Sequence, residues 1–146
     1  MNNKIYDTNI IIGFDFGLKY IGVAVGQKIS MTASPLCSIP AKDGIPPWDI
    51  IEEIITSWNP FQLVVGLPIN LDGSKQHITF CAQNFANRLH NKFKIPVSTT
   101  DEAFSTWEAR NKISLSKHSK KNKQELEKLN ATAAAIITEQ WLVDNY

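Results

Sequence analysis

Ile10 to Gly26 reads IIIGFDFGLKYIGVAVG, two β-rich apolar runs separated by Phe16-Gly17-Leu18-Lys19. That pattern predicts a strand, a tight turn and a returning strand. Downstream, Ser30 to Ile39 supplies a third strand, and Pro35, which has no amide to donate, confines it to an edge or a bulge. Pro46 and Pro47 then precede Trp48, Ile51, Ile54, Ile55 and Trp58 at helical spacing, and Asn59-Pro60 ends that helix. Gln62 to Leu67, QLVVGL, is almost wholly apolar and follows a helix, which predicts a buried parallel strand. A loop over Pro68 to Ser74 leads to a helix over Gln76 to Phe93, with Ile78, Cys81, Ala82, Phe85, Ala86 and Leu89 on its apolar face. Ile95-Pro96-Val97 begins another short strand, and Ser105 or Thr106 is placed to cap a helix through Trp107, Ala109 and Ile113. Leu126, Leu129, Ala133, Ile137 and Trp141 mark a last amphipathic helix. The order βββ-α-β-α-β-α-α implies an α/β fold, a mixed sheet flanked by helices.

The chain has 146 residues, 43% hydrophobic and 20% charged, the size and balance of one globular domain spanning residues 1–146. Its two cysteines show no CxxC spacing, so neither a disulfide framework nor a zinc site is indicated. Met1 to Asn9 carries no long apolar run, and no stretch approaches the roughly 18 apolar residues of a membrane span. The expectation is a cytoplasmic protein with no membrane partner. Net charge is only +1, which by itself points to no charged partner.

Local chemistry says more. Asp15 is a carboxylate at the end of an apolar strand, a costly place for a charge unless it is paired, binds metal or caps the turn that follows. Gly13, Gly17, Gly22 and Gly26 do not form a dinucleotide fingerprint, because the second run is a strand where a helix is required. Asp101-Glu102 places adjacent carboxylates just past a short strand; neighbours on a strand face opposite ways, so only one can share the site of Asp15. Asn130 puts an amide on the apolar face of the last helix with Ala133, Ala134, Ile137 and Trp141, where it needs a partner or a ligand. Arg110, Lys112, Lys117, Lys120, Lys121 and Lys123 form a basic stretch, read as a loop, that contains no acid and suits phosphate contacts or simple solvation. His77 and His90 lack ligand spacing. Trp48, Trp58, Phe61 and Trp107 could contribute to an exposed interface, but aromatics at helical spacing are more often core, and no dimer seam is evident.

Taken together, FDFGLKYIGVAVG at 14–26, VVGLPINLDGS at 64–74, DEAFSTWEAR at 101–110 and NATAAAII at 130–137 resemble the YqgF family, also called RuvX. Members are small RNase H-like proteins described as Holliday-junction resolvase-like and as nucleases of pre-16S ribosomal RNA. The resemblance implies an RNase H-like fold, a mixed five-stranded sheet with helices on both faces. It also implies three acidic positions that gather one or two Mg²⁺ or Mn²⁺ ions. The first matches Asp15. The second falls in the acidic pair, with Glu102 favoured over Asp101. The third, the acid that opens the final helix, is here Asn130, and Ala103 stands where the family has Arg. An amide oxygen still coordinates a hard cation but brings no negative charge and no base. Glu127 is a weak substitute, only approximately on the same side.

The function implied is metal-dependent hydrolysis of phosphodiester bonds during processing of the 5′ end of pre-16S ribosomal RNA. Asp15 and Glu102 would be catalytic, while Lys19, Thr106, Arg110, Lys117, Lys120, Lys121 and Lys123 would hold the nucleic acid. The partners implied are structured RNA or branched DNA and ribosomal precursor particles, with the protein a monomer or weak dimer. Two alternatives stand beside this. One is a nucleic-acid or ribosome-associated binding protein whose metal site is degraded by Asn130; the other is a DNA junction resolvase, which needs a two-fold dimer to cut symmetrically.

Overall fold

The structure is a computed structural model that describes residues 9–70, 72–103 and 120–146. Five strands form one mixed sheet: β1 (Ile10–Asp15), β2 (Tyr20–Gln27), β3 (Thr32–Pro40), β4 (Gln62–Ile69) and β5 (Val97–Ala103), in the order β3-β2-β1-β4-β5. β1, β2 and β3 pair antiparallel, whereas β1–β4 and β4–β5 are parallel. The described helices are α1 (Trp48–Trp58), α2 (His77–Phe93) and α3 (Lys120–Asn145). None is long and apolar enough to cross a membrane.

Period-two alternation sorts the side chains between two faces. Ile10, Ile12 and Phe14 of β1, Ile21, Val23 and Val25 of β2, and Leu63, Val65 and Leu67 of β4 pack on one face with Ile51 and Ile55 of α1 and Ile78, Phe85 and Leu89 of α2. The opposite face carries Ile11 and Val64 under Ile137, Trp141 and Leu142 of α3. Helices therefore cover both faces, as the family resemblance implied.

The α3 face is built from small residues. A Cβ placed on Gly13 would lie 1.7 Å from Thr138 Oγ1, and one on Gly22 would lie 2.1 Å from the carbonyl oxygen of Asn130. Glycines on the sheet and the buried Ala131, Ala133, Ala134 and Ala135 on the helix let α3 approach the strands closely. Glu139 also accepts a hydrogen bond from the Ala33 amide of edge strand β3 at 3.0 Å, tying the helix across the sheet.

Several expectations from the sequence are met and others are corrected. Pro35 lies on an edge strand beside a register shift at Val23/Ala24, as its missing donor requires. β4 continues through Pro68 to Ile69, and β5 continues through Asp101 and Glu102 to Ala103, so the acidic pair lies within the strand and not after it. Lys120 to Lys123 are the first turn of α3, not a loop; a helix that long is held by tertiary packing more than by its own apolar periodicity. Asn130 accordingly lies well inside the final helix and does not open it. Trp48 packs with Phe85 and Trp141 is buried, but Trp58, in the last turn of α1, is 39% exposed. The helix expected after Ser105 lies outside the described residues.

Candidate active site

Asp15 ends β1 at the carboxyl edge of the parallel part of the sheet, the edge where open α/β sheets place ligands. Its cross-strand partners are Gly22 on β2 and Gly66 on β4. Alternation from Ile11 and Gly13 turns its side chain to the α3 face, where it is only 4% exposed. Two glycines flank it, and helix α3 packs directly onto both, Asn130 backbone over Gly22 and the Ile137 side chain over Gly66.

Glu102 reaches the same space from the other side. It is the register partner of Pro68, and its neighbour two residues back, Thr100, is the partner of Gly66. Its carboxylate folds back along the strand, so that Oε2 lies 3.5 Å from where a Cβ on Gly66 would be. Oδ1 of Asp15 and Oε2 of Glu102 are both shielded from solvent. Asp101, partner of Leu67, is turned to the other face and exposed. The structure thus brings Glu102 and not Asp101 to the side of the sheet occupied by Asp15, because one pleat separates them.

Asn130 arrives from above. Its carbonyl oxygen and carbon lie directly over Gly22, the strand partner of Asp15, and its side chain is half-buried. Elements far apart in sequence therefore place Asp15, Glu102 and Asn130 around one corner of the sheet. Among the described residues no group of three or more His, Cys, Asp and Glu gathers. The two side chains brought to this corner are carboxylates, oxygen donors suited to a hard divalent cation such as Mg²⁺ or Mn²⁺, with the backbone of Asn130 beside them. That oxygen chemistry fits the ion.

Of the basic residues, Lys19 is exposed in the β1–β2 turn, two residues past Gly17, and its carbonyl accepts the Ala41 amide at 2.7 Å. Lys120 and Lys121 lie in the first turn of α3, and Lys123 follows with an exposed side chain. Thr106, Arg110 and Lys117 lie outside the described residues.

The sequence reading missed the organised loop between β4 and α2. Asp72 accepts hydrogen bonds from the Ser74 amide at 2.9 Å and hydroxyl at 2.6 Å, Asn70 donates to Ser74 Oγ at 2.7 Å, and Gly73 takes φ +86°. The two Ser74 donors hold the Asp72 carboxyl below its ordinary value of 3.8. Gln76 closes the loop by donating to Asn70 Oδ1 at 2.9 Å, and Thr79 Oγ1 donates to the Pro68 carbonyl. The Asn-x-Asp-Gly-Ser composition is a signal for such an Asx turn. Its effect is to fix the carboxyl end of β4 next to the acidic corner.

A five-stranded mixed sheet covered on both faces, with carboxylates at the carboxyl edge beside a long helix, defines the class: the RNase H-like fold of the RuvC resolvases. Among solved structures the chain is similar to Thermus thermophilus RuvC in complex with a Holliday junction substrate, at TM-score 0.53 and 13% identity, covering 93% of this chain and 94% of that one. In sequence it matches the RuvX family, described as Holliday junction resolvase, over residues 9–144. It is 46% identical over 143 residues to a Proteus mirabilis protein named "Putative pre-16S rRNA nuclease", covering 93% of this chain and 96% of that protein. A Legionella pneumophila protein of the same name is 45% identical over 133 residues, covering 91% of this chain and 94% of that one. The chain belongs to the RuvX family.

Proposed function

We propose that this chain is a divalent-metal-dependent endonuclease that acts in the cytoplasm on the 5′ end of precursor 16S ribosomal RNA, within precursor ribosomal particles. It is a hydrolase acting on nucleic acid. The observation that carries the reading is a 4% exposed carboxylate, Asp15, on the same face of the sheet edge as Glu102, whose carboxylate reaches back toward Gly66, the strand partner of Asp15. Buried carboxylates in that arrangement cost too much to serve packing alone.

Asp15 and Glu102 would hold Mg²⁺ or Mn²⁺, with the Asn130 amide as a neutral third ligand and Asp101 outside the set. Bound there, the cation supplies Lewis acidity at the scissile phosphate and lowers the pKa of the attacking water. The protein's own part is to orient. Asp15, fixed between two strands, and Glu102, fixed by the β4–β5 register, would present their carboxylates on one face of the sheet edge with little reorganisation. Lys19 and the lysines that open α3, together with Thr106, Arg110 and Lys117, would hold the phosphate backbone, contacts that position without reading sequence.

The test is cleavage of an end-labelled precursor 16S leader RNA and of a four-way DNA junction in Mg²⁺, Mn²⁺ or EDTA. Metal-dependent cleavage of the RNA, lost by about 100-fold or more in Asp15→Asn, is expected; unchanged cleavage by Asp15→Asn refutes the site. Preference for the junction, with symmetric paired cuts, would make it a resolvase instead. Asn130 favours one second reading, a binding protein with a weakened metal site. Under that reading the wild type binds RNA with steep salt dependence and does not cleave it, and Asn130→Asp creates cleavage.

A further inference from the structure

Asp15 and Phe16 are consecutive, so their side chains leave the sheet edge on opposite faces. Asp15 serves the acidic corner. Phe16 instead joins the α1/α2 core and lines a cleft of about 190 Å³ that opens at the same edge. We infer that this cleft is a seat for one unpaired nucleobase, taken from the nucleotide that flanks the phosphate held at Asp15. The inference rests on the nucleic-acid reading above and extends it to a second site.

The shape suits a single planar ring. At about 190 Å³ the cleft is smaller than the roughly 300–1,000 Å³ of sites for drug-sized ligands. Its floor is aromatic. Phe16 and Phe85, each 2% exposed, close it with ring edges, their centroids 5.4 Å apart, and Trp48 backs Phe85 at 5.8 Å from outside the lining. A base seated there rests on an apolar floor and is held chiefly by hydrogen bonds to its edge.

The rim is polar and convergent. Asn84 and Arg88 are one turn apart on α2, so both project beside Phe85. The Asn84 amide presents a donor and an acceptor together, which matches the edge of a base. Arg88, with its guanidinium 5.2 Å over the Trp48 ring, adds donors held by stacking on that ring. Asp43 faces them across the cleft as an acceptor.

The wall that carries Asp43 is fixed, not a passing loop conformation. Asp43 and Gly44 take φ of 51° and 80°, Gly44 donates its amide to the Leu18 carbonyl at 2.9 Å, and Lys42 and Ile45 exchange backbone hydrogen bonds. Because Leu18 and Lys19 form the turn after Asp15, the same turn links the acidic corner to the cleft. A strand whose phosphate lies at Asp15 can cross this turn and drop its next base into the cleft.

The experiment records amide NMR spectra of the full chain in EDTA while titrating the four ribonucleoside 5′-monophosphates, with ribose 5-phosphate as the base-free control. Expected are saturable shifts at Gly44, Asn84 and Arg88 with at least one nucleotide, at a Kd of about 1–10 mM suited to one small fragment, and none with the sugar phosphate. Asn84→Leu, at an exposed position that leaves the fold intact by its spectrum, should weaken binding about tenfold, as should Arg88→Gln. No shift at those amides, an equal response to ribose 5-phosphate, or wild-type affinity in both variants overturns the inference. The two readings fail separately. Base binding in a protein that never cleaves RNA leaves the cleft standing and removes the nuclease, whereas Asp15-dependent cleavage without base binding does the reverse.

Discussion

Replacing Gly22 by Ala tests the geometry on which the acidic corner depends. A Cβ at that position would stand 2.1 Å from the carbonyl oxygen and 2.5 Å from the carbonyl carbon of Asn130, and 3.1 Å from the Ala131 amide nitrogen. All three atoms are helix backbone, so no side-chain rotation relieves the clash. Helix α3 must retreat by about 1 Å to restore ordinary contact, and the Ala24, Ala134 and Ala135 contacts beside it loosen with it. Overpacking of this kind costs about 1–3 kcal/mol, with backbone clashes at the upper end. For a chain of this length that is a fall in Tm of roughly 3–9 °C, read by thermal unfolding monitored by circular dichroism. A retreat of about 1 Å at Asn130 also displaces it from Asp15, and misplacement on that scale costs about 100-fold in rate. The variant should therefore lose cleavage at temperatures where it remains folded. Wild-type Tm together with wild-type cleavage would refute the placement of α3 over Gly22.

Other outcomes follow from the same structure. Gly13→Ala should destabilise by about 2 kcal/mol or more, and since its clash is with the Thr138 side chain, the cost should fall by about 1 kcal/mol in a Thr138→Ala background, a coupling measured by a double-mutant cycle. The Asp72 carboxyl should titrate below 3.8 by NMR, and Ser74→Ala should return it part of the way while the backbone donor remains. Because that pKa is lowered on folding, the loop's contribution is present above 3.8 and is lost as pH falls through the lower folded value; the Ser74→Ala loop should accordingly show weaker acid sensitivity in hydrogen exchange. Burial pushes the Cys37 thiol up, so its alkylation by iodoacetamide at about pH 8 should run slower than that of a free cysteine peptide, and equal rates would contradict its burial in β3.

Much of the fold was legible because its signals are local. The β-rich apolar runs IIIGFD and YIGVAVG, the proline before α1, and the apolar spacing of α2 each depend on neighbours a few residues away. The length of α3 was not legible, since its first six residues, Lys120 to Glu125, are all charged or polar and carry no apolar periodicity. The cleft beside Phe16 was equally hidden, since Asp43, Asn84 and Arg88 come from separate elements and none is unusual where it stands.

The sequence by itself determined which residues carry charge into apolar strands, and hence that Asp15 and one member of the Asp101-Glu102 pair were candidates for a common site. It also placed Asn130 on the inward face of its helix. Only the tertiary structure decided that these positions converge. Strand register is a long-range property: it set Glu102 opposite Pro68, with its carboxylate reaching back toward Gly66, and one pleat sent Asp101 to the other face. The height of α3 above the sheet is likewise fixed by atoms that are absent, the missing side chains of Gly13, Gly22, Gly26 and Gly66, whose effect exists only when the helix lies over them.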